Sequence, residues 1–149
     1  LLDQAKTEIP SILKYADQAK NGSMVNTPAT YSWYLSGLVF EWLLEQGCVE
    51  AMHKTNLEKA KLLYGYIDGS DFYANPIAIP NRSIMNVPFT LADEALEKTF
   101  LQEAESNHLL NLAGHRSVGG MRASTYNALH LEGVQALVNF IDDFAKHHR

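Results

Sequence analysis

The sequence has only one cysteine, Cys48, and no paired cysteine spacing of the kind that holds structural zinc. A single cysteine cannot form a disulfide within the chain, which indicates a protein of a reducing compartment, the cytoplasm. Most of the histidines also lack paired spacing with carboxylates or cysteines, namely His53, His108, His130, His147 and His148. We therefore expect no metal site.

Long apolar runs are missing as well. The longest, over residues 35–44, is interrupted by Ser36, Gly37 and Glu41, and it is shorter than the roughly 20 residues that a membrane-spanning helix needs. We therefore expect no membrane span. The chain starts with Leu1-Leu2-Asp3, without a methionine or a signal-peptide pattern, and this predicts a chain cut from a longer one.

Basic residues are outnumbered: 12 Lys and Arg stand against 17 Asp and Glu, which gives a formal net charge of −5. This balance argues against a general attraction for nucleic acid or for an anionic membrane. Any anion that the protein binds must be held by local groups. The hydrophobic share of 46% and the charged share of 19% are typical of folded globular proteins, and 149 residues is the length of one domain.

Apolar residues recur at helical spacing in four stretches and at strand-like spacing in three. The predicted helices cover residues 29–46, 48–67, 91–106 and 131–146, and the predicted strands cover residues 82–89, 109–112 and 119–126. Thr27 is expected to cap the first helix with Pro28 at its first position, and Thr90 with Asp93 to cap the third. The order of elements predicts an α+β fold, with a small antiparallel or mixed sheet and helices packed on one face.

One segment combines two arginines and a histidine, His115, Arg116 and Arg122, with the glycine pair Gly119-Gly120. A guanidinium matches a carboxylate or phosphate bidentately, and glycines let a ligand approach the main chain. If residues 119–126 form a strand, Met121 points to the core and Arg122 to a cleft on the other face. These residue types favour a small dianion, although a solvated or salt-bridged loop would use them too.

A second polar segment places Asn26 and Thr27 just before a predicted helix. The free N–H groups and the dipole at a helix N-terminus favour a phosphate group. An ordinary helix cap is the alternative interpretation of the same two residues.

Three segments carry motifs that can be compared with known families. They are Asn21-Gly22-Ser23-Met24-Val25-Asn26-Thr27-Pro28 with Tyr31-Ser32-Trp33-Tyr34, then residues 81–89, then residues 114–128. In sequence, order and spacing they resemble the phosphoserine aminotransferases, class V aminotransferases of fold type I. Residues 131–134 and the apolar stripe that follows also resemble the terminal helix of that family.

The resemblance implies a homodimeric enzyme that depends on pyridoxal 5'-phosphate. Such an enzyme transfers the amino group between O-phospho-L-serine and 2-oxoglutarate. The corresponding products are 3-phosphohydroxypyruvate and glutamate. It acts in serine biosynthesis and, in some bacteria, in pyridoxine biosynthesis. The resemblance further implies that Asn26 and Thr27 contact the cofactor phosphate of the other subunit, that His115 and Arg116 help bind the substrate phosphate, and that Arg122 binds the substrate carboxylate.

The reaction also needs a lysine that holds the cofactor as a Schiff base, an aspartate that contacts the pyridine nitrogen of the cofactor, and an aromatic ring stacked on the cofactor. In the family, all three residues precede the segment that matches this chain. None of the lysines of this chain lies in the family's lysine motif, so we predict that the chain contains no catalytic residue. Residues 1–28 are predicted to lead in from an absent large cofactor domain, and residues 29–149 to form the C-terminal small domain.

Two other functions remain open from the sequence. The chain could be a stand-alone anion-binding or regulatory module that uses the arginine loop without catalysis. It could also belong to another class V transaminase with an unphosphorylated substrate, although the adjoining His115 and Arg116 argue against that.

Overall fold

The computed structural model describes residues 4, 6 and 8–149, so Leu1, Leu2, Asp3, Ala5 and Thr7 of the predicted lead-in segment lie outside the described residues. The chain divides into two compact units, with the boundary between Glu45 and Gln46. The predicted boundary after residue 28 concerns a larger protein and stays a prediction.

In the described part of the first unit there are two α-helices, α1 (Tyr15–Lys20) and α2 (Thr30–Glu45), and a 3-10 turn precedes them at Ser11–Leu13. Helix α1 lies in the predicted lead-in segment, outside the four helices that the sequence predicts. Helix α2 was predicted, but Thr27 does not cap it, because the first helical hydrogen bond runs from Trp33 N–H to the Ala29 carbonyl at 3.1 Å. Pro28 thus precedes the helix instead of opening it.

Helix α2 is rich in apolar side chains and none of them is buried. Tyr31, Tyr34 and Phe40 are all more than half exposed. Tertiary packing of an apolar face usually supplies most of a helix's stability. The described part of this unit supplies no such packing for α2. No helix among the described residues is long and apolar enough to cross a membrane.

The second unit consists of three helices and a three-stranded antiparallel sheet. Its elements are α3 (Cys48–Asp68), β1 (Tyr73–Ala74), β2 (Asn86–Leu91), α4 (Glu97–Ser106), β3 (Met121–Ser124) and α5 (Leu131–His148). The strand order is β1-β2-β3, and both pairings are antiparallel. The predicted α+β class is therefore confirmed.

The two faces of the sheet have opposite character, as strand alternation requires. In the β2–β3 register, Val87 lies opposite Ala123 and Phe89 opposite Met121, and all four are buried. Residues between them along each strand point to the other face and are exposed or half-buried. The helices therefore cover one face, while the other carries Arg122.

Aromatic rings fill the core between the sheet and the helices. Phe100 of α4 is fully buried and lies within 5.0–6.3 Å, ring centre to ring centre, of four other rings. Those rings belong to Tyr73, Phe89, Phe140 and Phe144. Edge-to-face contacts of this kind add to the hydrophobic gain of burial. Phe100 thus joins α4, the sheet and α5 in a single core.

The predicted end of the strand at residue 89 and the predicted start of the third helix at residue 91 were both wrong, because strand pairing extends further than local patterns suggest. Thr90 and Leu91 belong to β2, since they pair with Ala74 and Tyr73 of the unpredicted strand β1. Asp93 alone caps the next turn, by accepting the Ala95 N–H at 2.9 Å, and α4 then starts at Glu97.

The predicted strand at residues 109–112 does not form. His108 and Asn111 have positive φ angles of 63° and 62°, which an extended chain does not allow. Only an isolated bridge between Ala113 and Met121 remains of the expected pairing.

Truncation of the central ring should weaken the second unit strongly. We expect Phe100→Ala to lower the free energy of unfolding by about 3–5 kcal/mol, because it leaves a cavity between four rings. Urea titration followed by circular dichroism measures the effect. Lys98→Ala, on the exposed side of the same helix, is the matched control and should leave the midpoint nearly unchanged. Equal midpoints for the two variants would contradict this account of the core.

Candidate functional site

The arginine segment folds as a tight loop at the start of β3. The Gly114 N–H donates to the Gly120 carbonyl at 2.8 Å, next to the bridge between Ala113 and Met121. Inside the loop the His115 carbonyl accepts two N–H groups, those of Val118 and Gly119, at 2.8 and 2.9 Å. The backbone therefore closes on itself and presents the side chains of residues 115–118 outward.

Two glycines make this closure possible. A Cβ on Gly114 would lie 2.1 Å from the Gly119 carbonyl oxygen, far inside contact distance. Gly120 has a φ angle of +65° and passes so close to β2 that a Cβ would lie 3.0 Å from the Phe89 carbonyl oxygen. Left-handed backbone of this kind favours glycine. The glycines thus shape the loop itself.

His115 is exposed, and Ser117 determines how its ring is presented. The Ser117 backbone N–H lies 3.3 Å from His115 Nδ1, and the Ser117 Oγ lies 2.7 Å from the same atom. A backbone N–H can only donate, so Nδ1 accepts in that contact, which the tautomer with its proton on Nε2 allows. His115 therefore offers an N–H donor to the solvent side of the loop.

Arg122 lies on β3 in the face opposite to the core, as predicted. Its cross-strand neighbour is Pro88, and beside them the Ser124 hydroxyl donates to Asn86 Oδ1 at 3.1 Å. Within the described part of the chain, neither Arg122 nor Arg116 has a carboxylate partner. Both guanidinium groups are exposed and available to an anion from outside.

Arg82, in the second motif, shows what a structural arginine looks like in this protein. It forms a bidentate pair with Asp68 at 2.6 and 2.9 Å, and its guanidinium lies 4.7 Å from the centre of the Tyr64 ring. Its Nε also donates to the Ile77 carbonyl at 3.2 Å. Arg82 is thus fully engaged within the chain, in contrast to Arg116 and Arg122.

An open pocket of about 700 Å³ lies beside β3. All of residues 122–126 line it on one side, residues 107–112 on another, and the first turns of α5 on a third. His115 and Arg116 do not line it. The second unit therefore has two anion-attracting places, the loop tip and the pocket edge, joined by the short segment from Arg116 to Arg122.

Asn26 and Thr27 belong to the first unit and precede α2. Both side chains are exposed, and neither forms a hydrogen bond with any described residue. An amide and a hydroxyl with free donors fit the oxygens of a phosphate group. Their contact with a cofactor phosphate stays a prediction.

Sequence reasoning missed two buried polar residues of α3, Asn56 and Lys59. Both lie on the face of the helix that packs in the core, where Leu63 and Ile67 follow them. Burial lowers the pKa of the Lys59 ammonium. The signal that could have found them is a polar residue on an apolar stripe, because such a residue needs partners of its own.

Comparison with known proteins identifies the class. The chain matches the Aminotransferase class-V family over residues 5–137 and belongs to that family. Its relatives include the phosphoserine aminotransferase of Acinetobacter baumannii, 87% identical over 146 residues, and that of Acinetobacter baylyi, 83% identical over 148 residues. The resemblance to the phosphoserine aminotransferases is thus confirmed. These alignments cover 98% and 99% of this chain but only 41% of each relative.

Solved structures agree with the sequence relatives. The phosphoserine aminotransferase from Bacillus circulans subsp. alkalophilus superposes with a TM-score of 0.92 at 39% identity, over 99% of this chain and 41% of that one. A pyridoxal-phosphate-bound phosphoserine aminotransferase from Trichomonas vaginalis gives a TM-score of 0.84 at 39% identity, over 93% and 40%. The fold is therefore that of a segment of these enzymes.

Loop closure at Gly114 can be tested by adding a single methyl group. We expect Gly114→Ala to destabilise the second unit by about 1–3 kcal/mol, because the new Cβ collides with backbone that has no room to move. Gly65→Ala is the control, since its Cβ would meet nothing within 4 Å in the middle of α3. That change should stabilise by about 0.5–1 kcal/mol. Urea unfolding of both variants gives the comparison, and a neutral Gly114→Ala would refute the closed loop.

Proposed function

We propose that this chain is the C-terminal part of a phosphoserine aminotransferase that transfers the amino group between O-phospho-L-serine and 2-oxoglutarate in serine biosynthesis. The observation that carries the proposal is the exposed residue Arg122, which lines the pocket and has no carboxylate partner among the described residues. Every amino-acid and oxo-acid substrate of the reaction carries a carboxylate next to the reacting carbon. A guanidinium binds such a group through two parallel hydrogen bonds.

His115 and Arg116 give the site its second anion contact. Nε2–H of His115 and the Arg116 guanidinium are exposed at the tip of a loop whose backbone is closed by hydrogen bonds. A phosphate dianion attracts both donors, and Arg116 adds a full positive charge. We assign the substrate phosphate to this pair and the carboxylate to Arg122. A phosphorylated amino acid would thus be held at both ends.

Asn26 and Thr27 are the residues of this chain that we assign to the cofactor phosphate. Their free amide and hydroxyl donors suit phosphate oxygens, and the contact would be made across the interface of a homodimer. Pyridoxal phosphate, when bound, supplies the electron sink that lets the bonds at the amino-bearing carbon break. The residues of this chain orient the substrate and hold the cofactor in place.

The lysine that carries the cofactor is assigned to the part of the relatives that this chain does not cover. Of the lysines here, Lys59 is buried and donates to three backbone carbonyls, and Lys146 pairs with Asp142. Lys59 is therefore not free to react, and none of the lysines lies in the family's lysine motif. We therefore propose that the isolated chain has no transaminase activity.

Substitutions at the two anion contacts should affect the kinetics with phosphoserine and with glutamate differently. The test protein is a complete chimera, in which this chain replaces the matching segment of the Acinetobacter baumannii relative. We expect Arg122→Ala to lower kcat/KM about tenfold to a hundredfold for phosphoserine and glutamate alike, because both lose a charged hydrogen-bonded pair worth about 1.5–3 kcal/mol.

His115→Ala and Arg116→Ala in the same chimera should impair phosphoserine more than glutamate, since glutamate carries no phosphate. Steady-state kinetics with each substrate varied in turn gives the ratios. Equal losses for both substrates in all three variants would refute this division of roles.

Absence of the cofactor lysine has a direct chemical test. The isolated chain, reduced with borohydride in the presence of pyridoxal phosphate, should show no single lysine modified in stoichiometric amount, because no lysine here is assigned to hold the cofactor. Peptide mass spectrometry provides the measurement, and the complete chimera is the positive control with one modified lysine. One stoichiometric site in the isolated chain would overturn the proposal.

A further inference from the structure

Lys59 is the most deeply buried charged side chain of the described residues, with 0% of its surface exposed. Its Nζ donates to three backbone carbonyls in the turn between β3 and α5. They belong to Thr125 at 3.2 Å, Tyr126 at 2.9 Å and Leu129 at 3.0 Å. An ammonium group has three N–H donors. All three are therefore used on one short turn.

No carboxylate compensates this buried charge within the described part of the chain. Desolvation lowers the pKa of Lys59, which means that burial itself opposes the charged form. The oriented carbonyl groups alone offset that cost. An apolar side chain at this position would avoid the desolvation cost but would leave the three carbonyl groups without this donor. What the lysine adds is therefore a fixed position for these carbonyl groups.

Asn56, one turn earlier on α3, holds the same segment by a second bond. It is 2% exposed, and its Nδ2 donates to Asn127 Oδ1 at 2.8 Å. Its own Oδ1 is buried and has no hydrogen-bond partner among the described residues. Asn56 and Lys59 together contact the turn at four points over residues 125–129. We call this pair and the turn the α3 clamp.

The α3 clamp holds residues 125–129, which directly follow the strand that carries Arg122. Thr125 directly follows β3, and its N–H donates to the Met85 carbonyl at 2.8 Å, which continues the β2–β3 ladder. Arg122 lies three residues before it, on the same short strand. Tyr126 and Leu129 line the same pocket as Arg122. A shift of the turn would therefore move the strand end and one wall of the pocket together.

We propose that Lys59, assisted by Asn56, is a positioning residue for the carboxylate subsite: it fixes the turn after β3 and thereby the position of Arg122. The inference rests on the proposed function, since it needs Arg122 to bind the substrate carboxylate. Small displacements of a binding group are costly for a reaction that needs the substrate in one orientation. The clamp supplies that rigidity from the interior, without contact to the ligand.

The test uses the complete chimera with Lys59→Met, which keeps the length of the side chain and removes its donors. We expect KM for both glutamate and phosphoserine to rise about tenfold, with kcat changed less than about threefold. Lys61→Met, two residues along α3 and exposed, is the matched control and should leave both constants unchanged.

A double-mutant cycle distinguishes positioning from a general loss of structure. If Lys59 acts through Arg122, then Lys59→Met should change KM less than about twofold in an Arg122→Ala background, because nothing is left to position. The same tenfold factor in both backgrounds would mean a merely structural role and would overturn the inference.

A second variant covers the case in which Lys59→Met fails to fold. Asn127→Ala removes the other bond of the α3 clamp at a half-buried position, and it should raise both KM values about threefold in a normally folded protein. Unchanged KM values in this variant would contradict the clamp.

An unsubstituted chimera without transaminase activity would overturn the proposed function. An active chimera whose KM values do not change with Lys59→Met or Asn127→Ala would overturn this inference alone.

Discussion

The pairing of β2 with β3 determines on which face of the sheet Arg122 lies. With Val87 opposite Ala123 and Phe89 opposite Met121, the apolar residues of both strands enter the core beside the helices. A shift of one residue would turn Arg122 into that core and Met121 out of it. Burial of an unpaired guanidinium would be very costly. The hydrophobic core thus enforces the exposure of Arg122, which is the condition for binding an anion from outside.

Three sets of contacts fix the position of strand β3, which carries Arg122. The close approach of Gly114 and Gly120 to neighbouring backbone lets the loop close directly beside the first residue of β3. At the other end of the strand, Lys59 holds the following turn through three carbonyl groups. The core-facing residues of β3 lie between them. Arg122 is therefore carried by a strand that is held at its start, at its centre and at its end.

The three arginines of the motifs show how the surroundings decide the role of a residue type. Arg82 has a bidentate carboxylate partner and an aromatic ring beneath it, and so it stabilises the chain. Arg116 and Arg122 carry the same guanidinium group but have no such partner among the described residues. Local sequence does not separate these cases, because Asp68, the partner of Arg82, is 14 residues away. Only the fold brings the two together.

The sequence by itself determined the α+β class, the extent of the long helices and the outward direction of Arg122, because all of these follow from the spacing of apolar residues. Its motifs also indicated the family. The tertiary structure alone decided that β1 pairs with β2, that residues 109–112 stay outside the sheet, and that Asn56 and Lys59 hold the turn after β3. These features depend on contacts between residues far apart in the chain, such as the 66 positions that separate Lys59 from Thr125. Patterns within a short window carry no information about such contacts, since the partner of a buried polar group is chosen by the packing of the whole unit.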